Sequence, residues 1–121
     1  MQEPQCLVFG PFRLDLRDER LWRGHEAIQL SRKTFAVLCC LVTQAGQLVT
    51  KEALLEAVWP ETVVSESILT VAMRTLRRVL GDQARTSRFI ETVHGRGYRF
   101  IAPVRQGLLG TEGDTGGSRG P

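Results

Sequence analysis

Cysteine is scarce in this sequence of 121 residues, and its placement excludes the usual cysteine scaffolds. There are three cysteines, Cys6, Cys39 and Cys40, an odd number with two adjacent. This fits neither a disulfide framework nor the C-x-x-C spacing of a zinc knuckle. We expect them to be small, buried, apolar side chains in a reducing compartment.

Long apolar runs and a leader are also missing. No stretch approaches the roughly 20 apolar residues of a membrane-spanning helix. The first residues, MQEPQC, lack the basic and apolar regions of a signal peptide. We therefore expect this segment to be cytoplasmic and to make no contact with a membrane.

Groups that perform chemistry are few. His25 and His94 have no cysteine or paired carboxylate at a useful spacing, and Asp15, Asp18 and Glu19 form only a polar turn. The sequence therefore predicts no catalysis, no metal site and no cofactor.

Negative charge is sparse in the C-terminal half. The net charge of the chain is only +3, but residues 67–100 contain seven arginines and two acids. A face of one sign is typical of proteins that bind a phosphate backbone. A chain of this length is expected to form about one domain, and we place it at residues 1–105.

The rest of the chain is organised around residues 65–80, SESILTVAMRTLRRVL, where a helical period separates apolar from basic side chains. We expect Ser65 to be the N-cap, Glu66 to lie in the first turn where the helix dipole favours an anion, and Gly81 to end the helix in a left-handed conformation. The expected apolar flank consists of Leu69, Ala72, Met73, Leu76, Val79 and Leu80, and the expected polar flank of Thr70, Arg74, Arg77 and Arg78.

A surface helix with solvated arginines is the simplest alternative interpretation. However, no acid lies between Ser67 and Leu80, so the arginines have no partner on their own helix. Phosphates and guanine edges are the partners that arginine forks fit best in a duplex.

The flanking patterns predict an α+β protein. A period near two over residues 6–30 predicts three or four short antiparallel strands. Helices are expected over residues 31–45 and 50–59, with Ser31 and Thr50 as N-caps. FIETV and YRFIA around a glycine-containing turn predict a terminal β-hairpin. Residues 106–121 are rich in glycine and are expected to be a flexible linker or tail.

This order is that of a winged helix-turn-helix with an amino-terminal sheet, and residues 30–100 resemble the OmpR/PhoB-type DNA-binding domain of bacterial transcription regulators. LSRKTFAVLCCLVTQAGQLVTKEALLEAVWP resembles its first two helices, LTVAMRTLRRVLGD its recognition helix and FIETVHGRGYRF its wing. The likeness covers about residues 6–103. It implies sequence-specific binding of double-stranded DNA for transcriptional regulation, with helix 65–80 in the major groove and wing 89–102 on the adjacent backbone or minor groove.

In response regulators of this family a receiver domain precedes the DNA-binding domain and connects it to phosphorelay signal transduction. Here Met1 lies only a few residues before the first expected strand. The arrangement resembles members that carry the DNA-binding domain at the amino terminus, so we expect no receiver phosphorylation within this chain.

The resemblance also implies the site residues. The expected DNA contacts are Ser67, Thr70, Arg74, Arg77 and Arg78 on the helix, Thr92, His94, Arg96 and Tyr98 in the wing, and Thr50 and Lys51 at the start of the second helix. His94 stands where the family often has an arginine, so the wing contact is expected to have moved to Arg96 or to be weaker. Tyr98 could equally pack against the recognition helix, and Trp59 is expected to belong to the core.

In the resembled family, the loop before the recognition helix touches RNA polymerase. The candidates for this contact are Glu61, Val63 and Val64, and the alternative is an ordinary connector. Family members often bind direct repeats head to tail, so we expect a monomer in isolation that pairs on DNA. The competing function is a protein-interaction module whose arginine face binds an acidic partner surface.

Overall fold

The computed structural model describes residues 6–107, which form an α+β structure as expected. Its elements are β1 (Cys6–Phe9), β2 (Phe12–Asp15), β3 (Arg20–Arg23), β4 (Glu26–Ile28), α1 (Arg32–Thr43), β5 (Leu48–Thr50), α2 (Lys51–Val58), α3 (Ser67–Leu80), β6 (Ile90–Val93), β7 (Gly97–Phe100) and β8 (Arg105–Gly107). The described residues divide into two compact units, one of residues 6–29 with 104–107 and one of residues 30–103. No helix within residues 6–107 is long and apolar enough to cross a membrane.

The first unit contains an antiparallel sheet with the strand order β4-β3-β2-β1-β8. One apolar row crosses the sheet with one residue from each strand, in which Leu7 pairs with Leu14, Leu14 with Leu21 and Leu21 with Ile28. The turn after β2 is polar, as expected. The Asp15 carboxylate holds it by accepting the backbone N–H groups of Arg17 and Asp18 at 3.1 and 2.9 Å. This turn is a local hydrogen-bonding motif of the aspartate side chain.

The fifth strand, β8, corrects the expected start of the linker. Residues 106 and 107 were expected to be unstructured, but Gln106 pairs with Leu7 and Gly107 with Cys6. Pairing of backbone groups satisfies the edge of a sheet without requiring apolar side chains, and composition therefore gives no signal for it. The rest of the expected linker, residues 108–121, lies outside the described residues.

The second unit begins with two capped helices. The Ser31 hydroxyl accepts the N–H of Thr34 at 3.1 Å, and the Thr50 hydroxyl accepts that of Ala53 at 3.0 Å, which confirms both expected N-caps. α1 ends at Thr43, two residues before the expected end, and the Thr43 hydroxyl donates to the carbonyl of Cys39 at 2.7 Å. The core of the unit includes the fully buried side chains of Leu38, Leu41, Leu54, Leu69, Leu76, Ile90 and Phe100.

Helix α3 begins later than expected, and Ser65 is not its cap. The Ser65 hydroxyl lies 2.6 Å from the Ser67 hydroxyl, and Glu66 occupies the N-cap position without a side-chain capping bond. The Glu66 carboxylate lies 3.1 Å from Nζ of Lys51, so it pairs with a cation rather than with the N–H groups of the helix. At the other end, Gly81 has a φ of 70° and its N–H bonds to Arg78, as expected for a left-handed C-cap.

The wing is a three-stranded sheet with the order β5-β7-β6, whereas a two-stranded hairpin was expected. The missed strand, β5, pairs Val49 with Tyr98 and Thr50 with Gly97. A Cβ on Gly97 would overlap the carbonyl oxygen of Val49 and lie 2.8 Å from Cα of Thr50. Glycine is therefore required here by the close approach of β5, while Gly95, with a φ of 73°, forms the turn.

The cysteines depart in part from expectation. Only Cys6 is buried, and Cys39 and Cys40 are half-buried. Burial raises the pKa of the Cys40 thiol above its ordinary value, which lowers its thiolate fraction and hence its reactivity.

Candidate nucleic-acid interface

The two flanks of α3 separate as the helical period predicts. Leu69, Ala72, Met73, Leu76 and Leu80 are buried, whereas Thr70, Arg74 and Arg78 are exposed. Val79 is only partly buried. Within residues 6–107, neither Arg74 nor Arg78 has a hydrogen bond or an ion pair. Their guanidinium groups are therefore available to an external anion.

One exposed residue of α3 was not expected at the site. Val71 lies next to Thr70 and leaves 55% of its surface exposed. The helical pattern gave it no role because it belongs to neither the buried row nor the basic row. An exposed apolar group among arginines suits a contact with a thymine methyl group.

A groove of about 410 Å³ runs beside α3 and brings several expected contacts together. It is lined by Thr70, Met73, Arg74, Arg77, Arg78, Asp82, Ala84 and Tyr98. Tyr98 retains only 8% exposure, so of the two expected roles the structure supports packing beside α3. Burial of the ring leaves this residue little surface for a ligand.

Arg77 is placed differently from the other arginines of the helix. Its Nη2 donates to the carbonyl oxygen of Ile90 at 2.9 Å and to the hydroxyl of Thr92 at 2.7 Å. Its Nε is buried without a partner within the described chain. Arg77 was expected on the exposed basic flank, but the nearness of β6 turns its guanidinium inward. The Thr92 hydroxyl, another expected contact, accepts the second of these bonds.

The tip of the wing carries two exposed side chains, His94 and Arg96. The turn between them is closed by a bond from the N–H of Arg96 to the carbonyl of Val93 at 2.9 Å. The carbonyl of Arg96 in turn accepts the N–H of Lys51 at 3.1 Å, which ties the tip to the start of α2. The backbone of the tip is thus held while both side chains remain accessible.

The two expected contacts at the start of α2, Thr50 and Lys51, already have side-chain partners within the domain. The Thr50 hydroxyl caps its own helix, and Lys51 pairs with Glu66. The Glu66 side chain is 62% exposed and that of Lys51 29%, so water screens the pair and its contribution to stability is at most about 1 kcal/mol. Ser67 is exposed, and its hydroxyl is the partner of Ser65.

The loop before α3 presents its side chains to solvent. Val63 is fully exposed, Glu61 is exposed and Val64 is half-buried. Trp59, expected in the core, is half-buried at the end of α2, where Nζ of Lys33 lies 5.9 Å from the centre of its ring. Lys33 also donates to the carbonyl of Val58 at 2.7 Å, at the negative end of the helix dipole.

Asp82 is an important residue of the site to which sequence reasoning gave no role. Its buried carboxylate accepts the N–H groups of Arg88, Phe89 and Ile90 at 2.7, 3.1 and 2.8 Å. Because Asp82 directly follows the C-cap of α3, it fixes the start of β6 against the end of that helix. The only available signal was an acid next to Gly81 in a basic region.

The remaining arginines of the basic half are of two kinds: some contact other groups of the domain, and some have exposed side chains. Arg99 pairs with Glu91 at 2.9 Å across β6 and β7, and the guanidinium of Arg88 lies over the ring of Phe89 at 5.8 Å. The side chains of Arg85 and Arg96 are exposed and have no hydrogen-bonding or ionic partner in the part of the chain that the structure describes. Over the same residues there is no group of three His, Cys, Asp or Glu side chains that could hold a metal ion.

Known proteins are similar to this chain in both sequence and fold. The family model described as "Transcriptional regulatory protein, C terminal" matches residues 24–100. The transcriptional regulator HilA of Salmonella typhimurium is 40% identical over 97 residues, which are 80% of this chain and 17% of HilA. This chain therefore spans only a small part of the length of that relative.

Solved structures agree with this comparison. The Klebsiella pneumoniae RstA DNA-binding domain, crystallised in complex with the RstA box, is 32% identical with a TM-score of 0.71, and the match covers 80% of this chain and 97% of that one. The DNA-binding domain of Escherichia coli CadC has a TM-score of 0.73 at 21% identity, covering 88% of this chain and 100% of that one. At that identity the CadC comparison concerns the fold alone.

Proposed function

Because this chain belongs to the OmpR/PhoB-type family of DNA-binding domains of transcriptional regulators, it binds DNA, and we propose that it reads a specific duplex sequence with α3 in the major groove. We propose that this binding controls transcription. The family consists of DNA-binding domains and not of enzymes.

The observation that carries this proposal is that Arg74 and Arg78 are exposed and have no partner among residues 6–107. The two residues lie one turn apart on the solvent flank of α3, with Thr70 and Val71 on the preceding turn. A major groove accepts a helix, where arginine recognises guanine and an apolar side chain recognises the thymine methyl group. Arg74 is the expected base contact, and Ser67, Thr70 and Arg78 supply further contacts to bases or phosphates.

We propose that the wing provides the second point of attachment. Arg96 and His94 are exposed at the tip, where a cation can lie against the phosphate backbone or enter a narrow minor groove. Lys51 lies close to the same tip through its backbone bond to Arg96. It can exchange its partly exposed partner Glu66 for a phosphate.

Two finer partners complete the proposal. The loop of residues 60–64, with the fully exposed Val63 beside Glu61, is a suitable contact surface for RNA polymerase. The domain is a monomer in isolation and pairs head to tail on direct repeats spaced by about one DNA turn. Sedimentation of the domain with one-repeat and two-repeat duplexes tests the pairing, because only the second duplex should carry two domains.

Selection from a pool of randomised duplexes, followed by sequencing of the bound fraction, tests the central proposal. A base-reading helix enriches a defined motif, and a duplex carrying that motif then binds more tightly than a scrambled one. A module that uses the same arginines to bind an acidic protein surface enriches no motif. Salt dependence alone does not separate the two, because both interactions are electrostatic.

A further inference from the structure

Arg77 and Asp82 together hold one residue of the wing by both of its backbone polar groups. The N–H of Ile90 donates to the Asp82 carboxylate at 2.8 Å, and its carbonyl accepts from Nη2 of Arg77 at 2.9 Å. Both side chains come from α3 or from the residue directly after its C-cap. The first residue of β6 is therefore clamped to the recognition helix.

The position of β6 in the wing explains why such a clamp is needed. In the order β5-β7-β6 this strand is at the edge, so the backbone groups that point away from β7 have no strand to pair with. In an antiparallel strand, the N–H and C=O of one residue point to the same side. Asp82 and Arg77 therefore occupy the outer edge of β6 in place of a further strand.

The Thr92 hydroxyl extends the clamp towards the tip of the wing. Arg77 donates to it at 2.7 Å, the shorter of its two bonds. Thr92 and Val93 pair with Tyr98 and Gly97, directly before the turn that carries His94 and Arg96. A shift of Thr92 relative to α3 would therefore move the tip as well, because only the pair of Val93 and Gly97 lies between them.

We propose that Arg77 is a positioning residue: its bond to Thr92 fixes the wing relative to α3, so that the tip and the recognition helix meet the same duplex in register. This inference rests on the proposed function and assigns Arg77 a role different from the phosphate or base contact expected of it. The burial of Nε is consistent with this role, because the guanidinium is oriented by its bonds to Ile90 and Thr92 and not by solvent.

The decisive variant is Thr92→Val, which removes the accepting hydroxyl and keeps the β-branched shape and the charge of the domain. With the duplex selected by the wild-type domain, we expect Thr92→Val to weaken binding by up to about tenfold, because the strength of one hydrogen bond to a charged group limits what it costs DNA to fix the released wing. The dependence of affinity on salt should not change, because no phosphate contact is lost. Thr86→Val is the matched control, since Thr86 is exposed in the connector and outside the groove.

A double-mutant cycle identifies the partner. Arg77→Lys keeps the positive charge but removes the planar guanidinium that donates to Ile90 and Thr92, and it should weaken binding by a similar factor. The combined Arg77→Lys, Thr92→Val variant should be little worse than either single variant, because both remove the same bond. Affinities are measured well below the unfolding temperature of every variant, so that a loss of stability alone does not change them.

In the binding experiments, three results would overturn the inference: wild-type affinity of Thr92→Val, additive effects in the cycle, or a salt slope about 0.9 lower in Arg77→Ala, which would mark a direct phosphate contact. Failure of the proposed function is distinguishable, because then the wild-type domain itself does not prefer the selected duplex. Even in that case, NMR relaxation of the amides of residues 94–96 tests the clamp without DNA. Thr92→Val should increase their mobility, and an unchanged tip would contradict the proposal.

Discussion

At the scale of single residues, the arginines of the basic half perform two different tasks. Arg77 and Arg99 make internal bonds, whereas Arg74 and Arg78 remain exposed without a partner among residues 6–107. Net charge does not distinguish these tasks, because an arginine within hydrogen-bonding distance of a backbone carbonyl has the same formal charge as a free one. The distinction decides which substitutions should affect DNA binding directly.

Arg96 provides the clearest test of a direct backbone contact. We expect Arg96→Ala to weaken binding to all duplexes by a similar factor and to lower the salt slope by about 0.9, the contribution of one phosphate. Titrations with selected and scrambled duplexes over a series of salt concentrations measure both effects. Arg17→Ala, an equal charge change in the turn after β2, is the control and should leave the slope unchanged. A loss confined to the selected duplex would instead identify Arg96 as a base contact.

Sequence reasoning predicted the faces of α3 but not the partners of its residues. The helical period depends only on spacing, and it placed Arg74, Arg77 and Arg78 on one flank. Whether a guanidinium reaches solvent or a carbonyl depends on where β6 passes, and this is a tertiary feature. For the same reason Asp82 looked like an ordinary acid, although its carboxylate accepts three backbone N–H groups.

At the scale of elements, Gly97 connects the wing to the start of α2. We expect Gly97→Ala to lower the free energy of unfolding by about 3 kcal/mol or more, the upper end for overpacking, because its Cβ would overlap the rigid backbone of β5. Urea unfolding followed by circular dichroism gives the value. Gly95→Ala is the control. Nothing lies within 4 Å of its Cβ, so only the left-handed backbone conformation should lower the free energy of unfolding, by about 1–2 kcal/mol. Equal or greater stability of Gly97→Ala relative to Gly95→Ala would show that β5 is not held this closely.

The elements themselves were predicted unevenly. The helices carry local signals, namely the hydroxyl caps Ser31 and Thr50 and the C-cap Gly81, and the structure confirms these three caps. The strands β5 and β8 carry almost none. Each has three residues, and each exists because its backbone meets a partner strand that is distant in the chain. Ser65 was wrong as a cap because the N-cap position falls one residue later, at Glu66, and the Ser65 hydroxyl lies instead 2.6 Å from that of Ser67.

At the scale of the molecule, function depends on distribution more than on net charge. A net charge of +3 is modest for a protein that binds nucleic acid, but the arginines that lack internal partners within the described residues are concentrated in the half that contains α3 and the wing. Such a local field accelerates association with DNA and makes it salt-dependent, while specificity has to come from contacts with base edges.

The most direct test of the whole account is therefore the affinity of Arg74→Ala for the selected duplex and for a scrambled one, with Arg17→Ala as the control for charge. If Arg74 reads a base, the substitution should cost about 1–3 kcal/mol on the selected duplex and less on the scrambled one, and specificity should be relaxed. Equal affinity of the wild-type domain and Arg74→Ala for the selected duplex would contradict the claim that the exposed flank of α3 reads DNA.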